Sequence, residues 1–249
     1  MTSTPARLVE PKILFLDIET APIMAAIWQP YEANAVWVER DTFILAFAAK
    51  WSHKKQVKTW ALPDYSLYRR DKFDDRSLIK DLWGLLDEAD VVVAHNGDAF
   101  DIKKINARFI VHKLNPPTPY KTIDTLKISR QAAKFDSNKL DNIGRYTGEG
   151  RKIPNTGAAL WRGCYWGDSK SWRAMRRYNA QDVLLLESVY HRLRPWAKSH
   201  PVLTAYAPRL KIACPTCLSG DVHRRGWRVA KFKKSPRFQC QGCGHWFSQ

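Results

Sequence analysis

Three acidic groups and one set of cysteines have the residue types and spacing of chemical sites. Asp17 and Glu19, in Leu14-Phe-Leu-Asp-Ile-Glu19, are two apart, so on a strand their side chains share a face beside apolar neighbours. Like charges held together in a core repel. A divalent cation turns that repulsion into binding energy, because Mg²⁺ and Mn²⁺ prefer carboxylate oxygen, whereas the same pair lying past a strand end in solvent needs no ligand. The second group, His95-Asn-Gly-Asp-Ala-Phe-Asp101, follows a valine run. In it Asp98 suits a helix cap, Gly97 admits close backbone approach to a ligand, and Asp101 is left for other work. Tyr178 and Asp182 are four apart and stack on one helix face, a spacing that by itself fits a surface hydrogen bond equally well. Cys214/Cys217 and Cys240/Cys243 are two C-x-x-C pairs separated by 22 residues, and they supply four thiolates for one tetrahedral Zn²⁺. Cys164 stands apart from them and reads as a buried structural thiol.

Elements that would hold these groups are legible in the apolar pattern. Lys12 to Glu19 is a nearly continuous apolar run, which predicts a central strand buried on both faces. Thr42 to Ala49, Gln56 to Leu62, Val91 to Ala94 and Tyr120 to Asp124 read as four further strands. Asp74 to Ala89 has apolar residues at helical spacing, Ala99 to Lys113 reads as helix, and most of the chain onward to about Trp196 does too. Within that stretch Lys170 to Leu193 joins a basic opening, Arg173, Arg176 and Arg177, to an apolar stripe of Val183, Leu186, Val189 and Leu193. This predicts a long amphipathic helix docked on the sheet. Strands first, then alternating strand and helix, give an α/β class with a mixed five-stranded sheet. His95-Asn96-Gly97 falls at a strand end, where sites of open α/β sheets sit.

The chain has 249 residues, enough for one large domain and a small appendage. Its apolar share of 45% and charged share of 26% disfavour wholesale disorder and a membrane bundle. A polar, proline-bracketed start reads as an N-terminal tail (1–11), and prolines at 195, 201 and 208 separate a main domain (12–200), a linker (201–212) and a C-terminal module (213–249). The net charge of +17 is unevenly spread: residues 1–150 carry +2 and residues 151–249 carry +15. Such an asymmetry points to a polyanionic partner. No apolar stretch is long enough to cross a bilayer and the opening residues lack a signal-peptide block, so no membrane partner and a cytoplasmic location are expected. A reducing compartment is also where paired cysteines favour zinc over disulfides.

Taken together, in order and context, the three acidic groups resemble the DEDD exonucleases of the RNase H-like superfamily, in the subclass that carries a tyrosine. The first motif is Asp17-Ile-Glu19, the second runs from Asn96 to Phe100-Asp101, and the third is Tyr178 to Asp182. HNGDAFD is most similar to the proofreading domain of family B DNA polymerases. The sister subclass has a histidine where this chain has Arg177. Residues 12 to about 195 are covered, and Asp124 in Thr122-Ile-Asp-Thr-Leu is a lesser candidate of the same resemblance. What it implies is an RNase H-like fold and four carboxylates, Asp17, Glu19, Asp101 and Asp182, that gather two Mg²⁺ or Mn²⁺ ions about 3.5 to 4 Å apart. Asp17 bridges the ions, Glu19 and Asp182 complete the first, and Asp101 serves the second. Tyr178 orients the attacking water, since a phenol is a poor base at neutral pH. Phe100 is expected to pack beneath the site. His95, Asn96 and Gly97 border the terminal nucleotide, and Arg173, Arg176 and Arg177 either hold substrate phosphates or form a solvated helix face.

The C-terminal module resembles a zinc ribbon, similar to those of some transposases. Its strands carry Arg224, Arg225, Arg228, Lys231, Lys233, Lys234 and Arg237 interleaved with Trp227, Phe232 and Phe238, a mixture suited to single strands of nucleic acid. The expected activity is a metal-dependent 3′-to-5′ exonuclease on DNA, acting alone or proofreading in trans in a bacterial or phage replication or repair system, with a polymerase or other replication protein as a further candidate partner. Alternatives are a 3′-to-5′ exoribonuclease, a transposase-like endonuclease, and a non-catalytic nucleic-acid-binding adaptor.

Overall fold

The computed structural model describes residues 10–31, 34–207 and 212–248, so most of the expected tail, together with Arg209 and Lys211, lies outside the described residues. In chain order the elements are β1 (Ile13–Thr20), β2 (Met24–Ala26), β3 (Trp37–Arg40), β4 (Ile44–Trp51), β5 (Lys58–Ala61), α1 (Arg76–Glu88), β6 (Val91–Ala94), α2 (Asp101–Val111), β7 (Lys121–Asp124), α3 (Thr125–Ala132), α4 (Leu140–Thr147), α5 (Ala158–Trp166), α6 (Ser169–Leu193), β8 (Val222–Val229), β9 (Lys234–Cys240) and β10 (Trp246–Ser248). The five expected strands form one mixed sheet in the order β5-β4-β1-β6-β7. β1 is central, antiparallel to β4 and parallel to β6.

The unbroken apolar character of β1 follows from its two covered faces. Leu14, Leu16 and Ile18 pack in a core that includes Leu78, Ile79, Leu82 and Leu86 of α1 with Ile105 and Phe109 of α2. Ile13 and Phe15 pack in a second core with Val183, Leu186, Val189 and Tyr190 of α6. Side chains alternate along a strand, so Asp17 and Glu19 continue the Ile13 and Phe15 face and come to lie under α6. Their cross-strand partners in β4 are Ala48 and Ala46, whose small side chains leave room above the sheet.

α6 is 25 residues long, about 37 Å at 1.5 Å per residue, and its first turn is capped by Asp168, which accepts from the Ser171 amide at 2.8 Å. The stripe expected on it is buried, and Trp172, Met175, Asn179 and Asp182 extend that stripe toward its start. The sequence pattern missed the β2–β3 hairpin between β1 and β4. Strands of three and four residues without alternation leave no periodic signal. Asp98 does not cap α2: it pairs with Lys127 at 2.6 Å, and α2 has no side-chain cap. Asp124 does cap, accepting from the Leu126 amide of α3 at 3.0 Å and from the Asn96 amide at 2.9 Å. Cys164 is buried.

β8, β9 and β10 form a separate antiparallel sheet around stacked Phe238 and Phe247, with ring centroids 5.5 Å apart. This small ribbon is seated against the end of α6. His245 Nδ1 donates to the Pro195 carbonyl at 3.0 Å, and the Leu203 amide donates to the Pro215 carbonyl at 2.7 Å.

One buried ionic cluster ties the first half together. Asp75 is fully buried; it accepts from the Ile44 amide at 2.9 Å and from Arg108 at 2.8 and 2.6 Å, while His112 Nε2 lies 2.6 Å away. This links β4, the start of α1 and α2. Removing one member of such a cluster strands a buried charge, at a cost of about 3 to 5 kcal/mol. Asp75→Ala is therefore expected to lower unfolding free energy by about 3 kcal/mol or more, read as a drop in the urea midpoint; a midpoint unchanged within error would contradict this role.

Candidate catalytic and metal centre

Asp17, Glu19 and Asp182 each present a carboxylate oxygen within 4.8 Å of the others, although Asp182 is more than 160 residues from the first two in the chain. β1 supplies the pair and α6 supplies the third. Asn179, one turn before Asp182 and fully buried, donates its amide to Asp17 Oδ2 at 2.5 Å and to the Asp17 carbonyl at 3.2 Å. Trp161 of α5 donates its indole N–H to Glu19 at 3.1 Å, and its ring meets that of Tyr178 edge-on, centroids 5.9 Å apart. Two of the three carboxylates are thus held in fixed orientations by neutral donors.

Asp101 opens α2 beside this trio. It is buried, accepts from the Ile18 amide at 3.2 Å, and its charge is the strongest carboxylate neighbour acting on Asp17. Its oxygens are not part of the tight three-residue group. Tyr178 lies one turn before Asp182, and its hydroxyl donates to that carboxylate.

Lys152, in the loop before α5, completes the centre. Its ammonium donates to Asp182 Oδ2 at 2.6 Å and to the Tyr178 oxygen at 3.2 Å. Asp182 Oδ1 is buried with no hydrogen-bond partner. A hard anionic oxygen left unpaired in a 1% exposed residue has the character of an open ligand position, and an all-carboxylate donor set suits Mg²⁺ or Mn²⁺.

Proton affinities record the crowding. Burial, then the charges of Asp101, Glu19 and Asp182, hold the Asp17 carboxyl well above the usual range. Burial and Asp182 push Glu19 up to about 8, and burial pushes Asp101 up to about 7. Asp182 is also raised by burial, against the opposing pull of Lys152. Burial and Asp182 push the Tyr178 phenol up to about 12.

The other residues expected at the site are placed variously. His95 is committed to the protein: Nε2 donates to the Asn138 carbonyl at 2.9 Å, which leaves Nδ1 to accept from the Thr125 hydroxyl at 2.8 Å, and burial holds its pKa down at about 4. Asn96 is left-handed, at φ 65°. Gly97 is required by packing, since a Cβ there would sit 2.4 Å from the Ala94 Cβ. His95 and Asn96 nevertheless line a groove of about 620 Å³ that also takes in Arg130, Lys139 and Lys152. Phe100 does not pack beneath the site; it is 39% exposed and lies just before α2, which starts at Asp101. Arg176 forks onto Asp64 at 2.9 and 2.6 Å, whereas Arg173 and Arg177 are exposed.

Cys214, Cys217, Cys240 and Cys243 form the other cluster, with Sγ atoms within 4.8 Å of one another. The Cys214–Cys243 and Cys217–Cys240 separations are both 3.6 Å. A tetrahedral Zn²⁺ with Zn–S near 2.3 Å requires sulfur atoms about 3.8 Å apart, so this set fits a metal and is too wide for disulfides.

Lys152, Asn179 and Trp161 were not singled out from sequence. Asn179 had a signal, as a polar residue in the apolar stripe of α6. Lys152 and Trp161 had none, because tertiary folding alone brings them to the carboxylates.

A family described as the RNase_H superfamily matches residues 14–194. Among solved structures, the family B DNA polymerase from the hyperthermophilic archaeon Pyrobaculum calidifontis is similar at a TM-score of 0.56 and 17% identity, over 80% of this chain and 27% of that one. That likeness is one of fold, and the chain spans about a quarter of the polymerase's length. No curated protein matches the chain.

Carboxylates whose folded pKa is raised bind more protons folded than unfolded between about pH 4.5 and 8, so they make stability fall as pH rises through that window. The metal-free protein is expected to melt at progressively lower temperature from pH 5 to pH 8. Mn²⁺ should restore more of the loss at pH 8 than at pH 5; a flat profile in chelator would contradict the crowding.

Proposed function

This chain belongs to the RNase_H superfamily, and on that premise we propose that it is a metal-dependent 3′-to-5′ exonuclease of the tyrosine-bearing DEDD kind, acting on DNA. The observation that carries the reading is the convergence of Asp17, Glu19 and Asp182 with Asp101 behind them and the Tyr178 hydroxyl on Asp182. Fold likeness to a DNA polymerase supports DNA as substrate.

Asp17, Glu19 and Asp182, with Asp101 beside them, would hold Mg²⁺ or Mn²⁺. Bound divalent ions supply charge neutralisation at the scissile phosphate and make a nearby water a better nucleophile. Asn179 and Trp161 keep two of the carboxylates aimed so that no reorganisation is needed when substrate arrives. Tyr178, with its pKa pushed to about 12, retains its proton at neutral pH and orients water by hydrogen bonding rather than by abstracting a proton. Lys152 holds the phenol oxygen and adds positive charge where the phosphate oxygens gather negative charge.

The four thiolates are a structural Zn²⁺ site, which stands in for a core that this short module lacks. On the ribbon Trp227 is flanked by Arg224 and Lys234, their charges 4.4 and 4.7 Å from the ring centroid, and exposed Phe232 has Lys231 at 5.2 Å. Aromatic faces with attendant cations are the elements of single-strand binding.

Strands of DNA and RNA labelled at the 5′ end and incubated with Mg²⁺ test the assignment. Stepwise shortening of DNA, abolished by chelator and lowered at least a thousandfold by Asp17→Ala, is expected. Degradation of RNA alone would overturn the DNA assignment, cutting of a closed single-stranded circle would make it an endonuclease, and unaltered turnover by Asp17→Ala would remove the site. Cys240→Ser should release Zn²⁺ and weaken strand binding while short substrates are still hydrolysed; complete loss of turnover would mean that the ribbon supports the catalytic fold.

A further inference from the structure

A second cavity lies at the other end of α6, where the ribbon is seated. This cleft of about 770 Å³ is lined by His191, Arg192, Arg194, Trp196 and Trp246, among others. Both indoles are open to solvent, Trp196 at 67% and Trp246 at 47% exposure. Arg237 of β9 lies 5.1 Å from the Trp246 ring centroid. Among the described residues the buried Nε of Arg194 has no hydrogen-bond partner, and its guanidinium lies 5.9 Å from the Tyr190 ring centroid. Arg192 is the only one of the lining arginines with a carboxylate mate, Glu149 at 2.8 Å, among the described residues.

Two aromatic faces and two arginines, one of them paired with Glu149 of the same lining, share one concave space and have the chemistry of an unpaired nucleotide's base and phosphate. The cleft is also joined to the carboxylate centre by continuous structure. Lys152 touches Tyr178 and Asp182, the Arg151 carbonyl accepts from Gln181 at 3.3 Å, and Glu149 reaches Arg192 in the cleft wall. Residues 149–152 therefore run beside α6 from one site to the other. On α6 the stripe Arg177, Gln181, Leu184, Ser188 and His191 faces outward along the same route, with Leu184 40% exposed. From Asp182 to Arg194 is about 18 Å at 1.5 Å per residue, roughly five nucleotides at the 3.4 Å spacing of a duplex strand and fewer for an extended one.

We propose that this cleft is a second binding site for single-stranded nucleic acid, gripping the strand a few nucleotides from the end held at the carboxylates. The proposal rests on the nuclease reading for its polarity but not for its existence. Strand seated at both sites binds as one bivalent ligand, so the cleft adds affinity only to substrates long enough to reach it.

The test uses the full-length zinc-loaded protein, 5′-labelled oligothymidylates of 3 and 15 nucleotides, and the variants Trp196→Ala, Trp246→Ala, their double, and Trp196→Phe with Trp246→Phe. Binding is measured in Ca²⁺, which occupies carboxylates without turnover, and KM is measured in Mg²⁺. Each alanine change is expected to weaken binding of the 15-mer and raise its KM at least about fivefold, as loss of a stacked base implies. The trimer should keep its wild-type constants and the phenylalanine pair should restore the 15-mer. Equal losses on both lengths, or no loss on the 15-mer in protein that retains its zinc, would overturn the proposal. Wild-type protein that binds the 15-mer through both indoles yet hydrolyses neither oligomer would instead end the DNA exonuclease reading and leave the cleft assignment standing.

Discussion

Mutual repulsion of carboxylates inside a fold is the constraint around which this molecule is arranged. Asp17 and Glu19 cannot leave their face, because the same strand is locked by Leu14, Leu16 and Ile18 below and Phe15 above. Asp182 cannot leave either, because it belongs to the buried stripe of α6. The apolar packing of two cores thus does electrostatic work, holding acids at distances they would not choose in water. Burial first, and neighbouring negative charge after it, raises their proton affinities. The neighbours of the acids are chosen to suit: alanines where bulk would intrude, neutral N–H donors from Asn179 and Trp161, and one ammonium from Lys152.

α6 organises both functional ends. Its first half delivers Tyr178, Asn179 and Asp182 to the end of β1, and its second half packs Tyr190 edge-on against Phe15 and leads to the seat of the ribbon. A single rigid rod therefore sets the separation of the acidic and thiolate clusters, which no loop of comparable length would do. The long helix and its basic opening were visible in the sequence; the division of labour between its ends required the positions of β1 and the ribbon.

Much of the architecture was legible because its signals are periodic. β1 announced itself by an apolar run interrupted only at Asp17 and Glu19, and the register of two residues was enough to place both acids on one face. The five strands and α6 lie within a few residues of where the pattern puts them. The β2–β3 hairpin escaped because its strands are too short for periodicity. Gly97 also meets a packing demand from Ala94, a steric requirement that only folded neighbours reveal. Phe100 was expected underneath and is 39% exposed: α2 begins at Asp101, two residues after the start that the pattern gives, so Phe100 is not carried on a helix face.

The Lys152–Asp182 contact has a consequence for the charge balance of the centre. An ammonium rests on the least exposed of the four acids and cancels part of its negative charge, while the second oxygen of that acid stays bare. The ammonium is carried on a loop and the acid on a helix, so the net charge felt at the centre is set by the placement of one short segment.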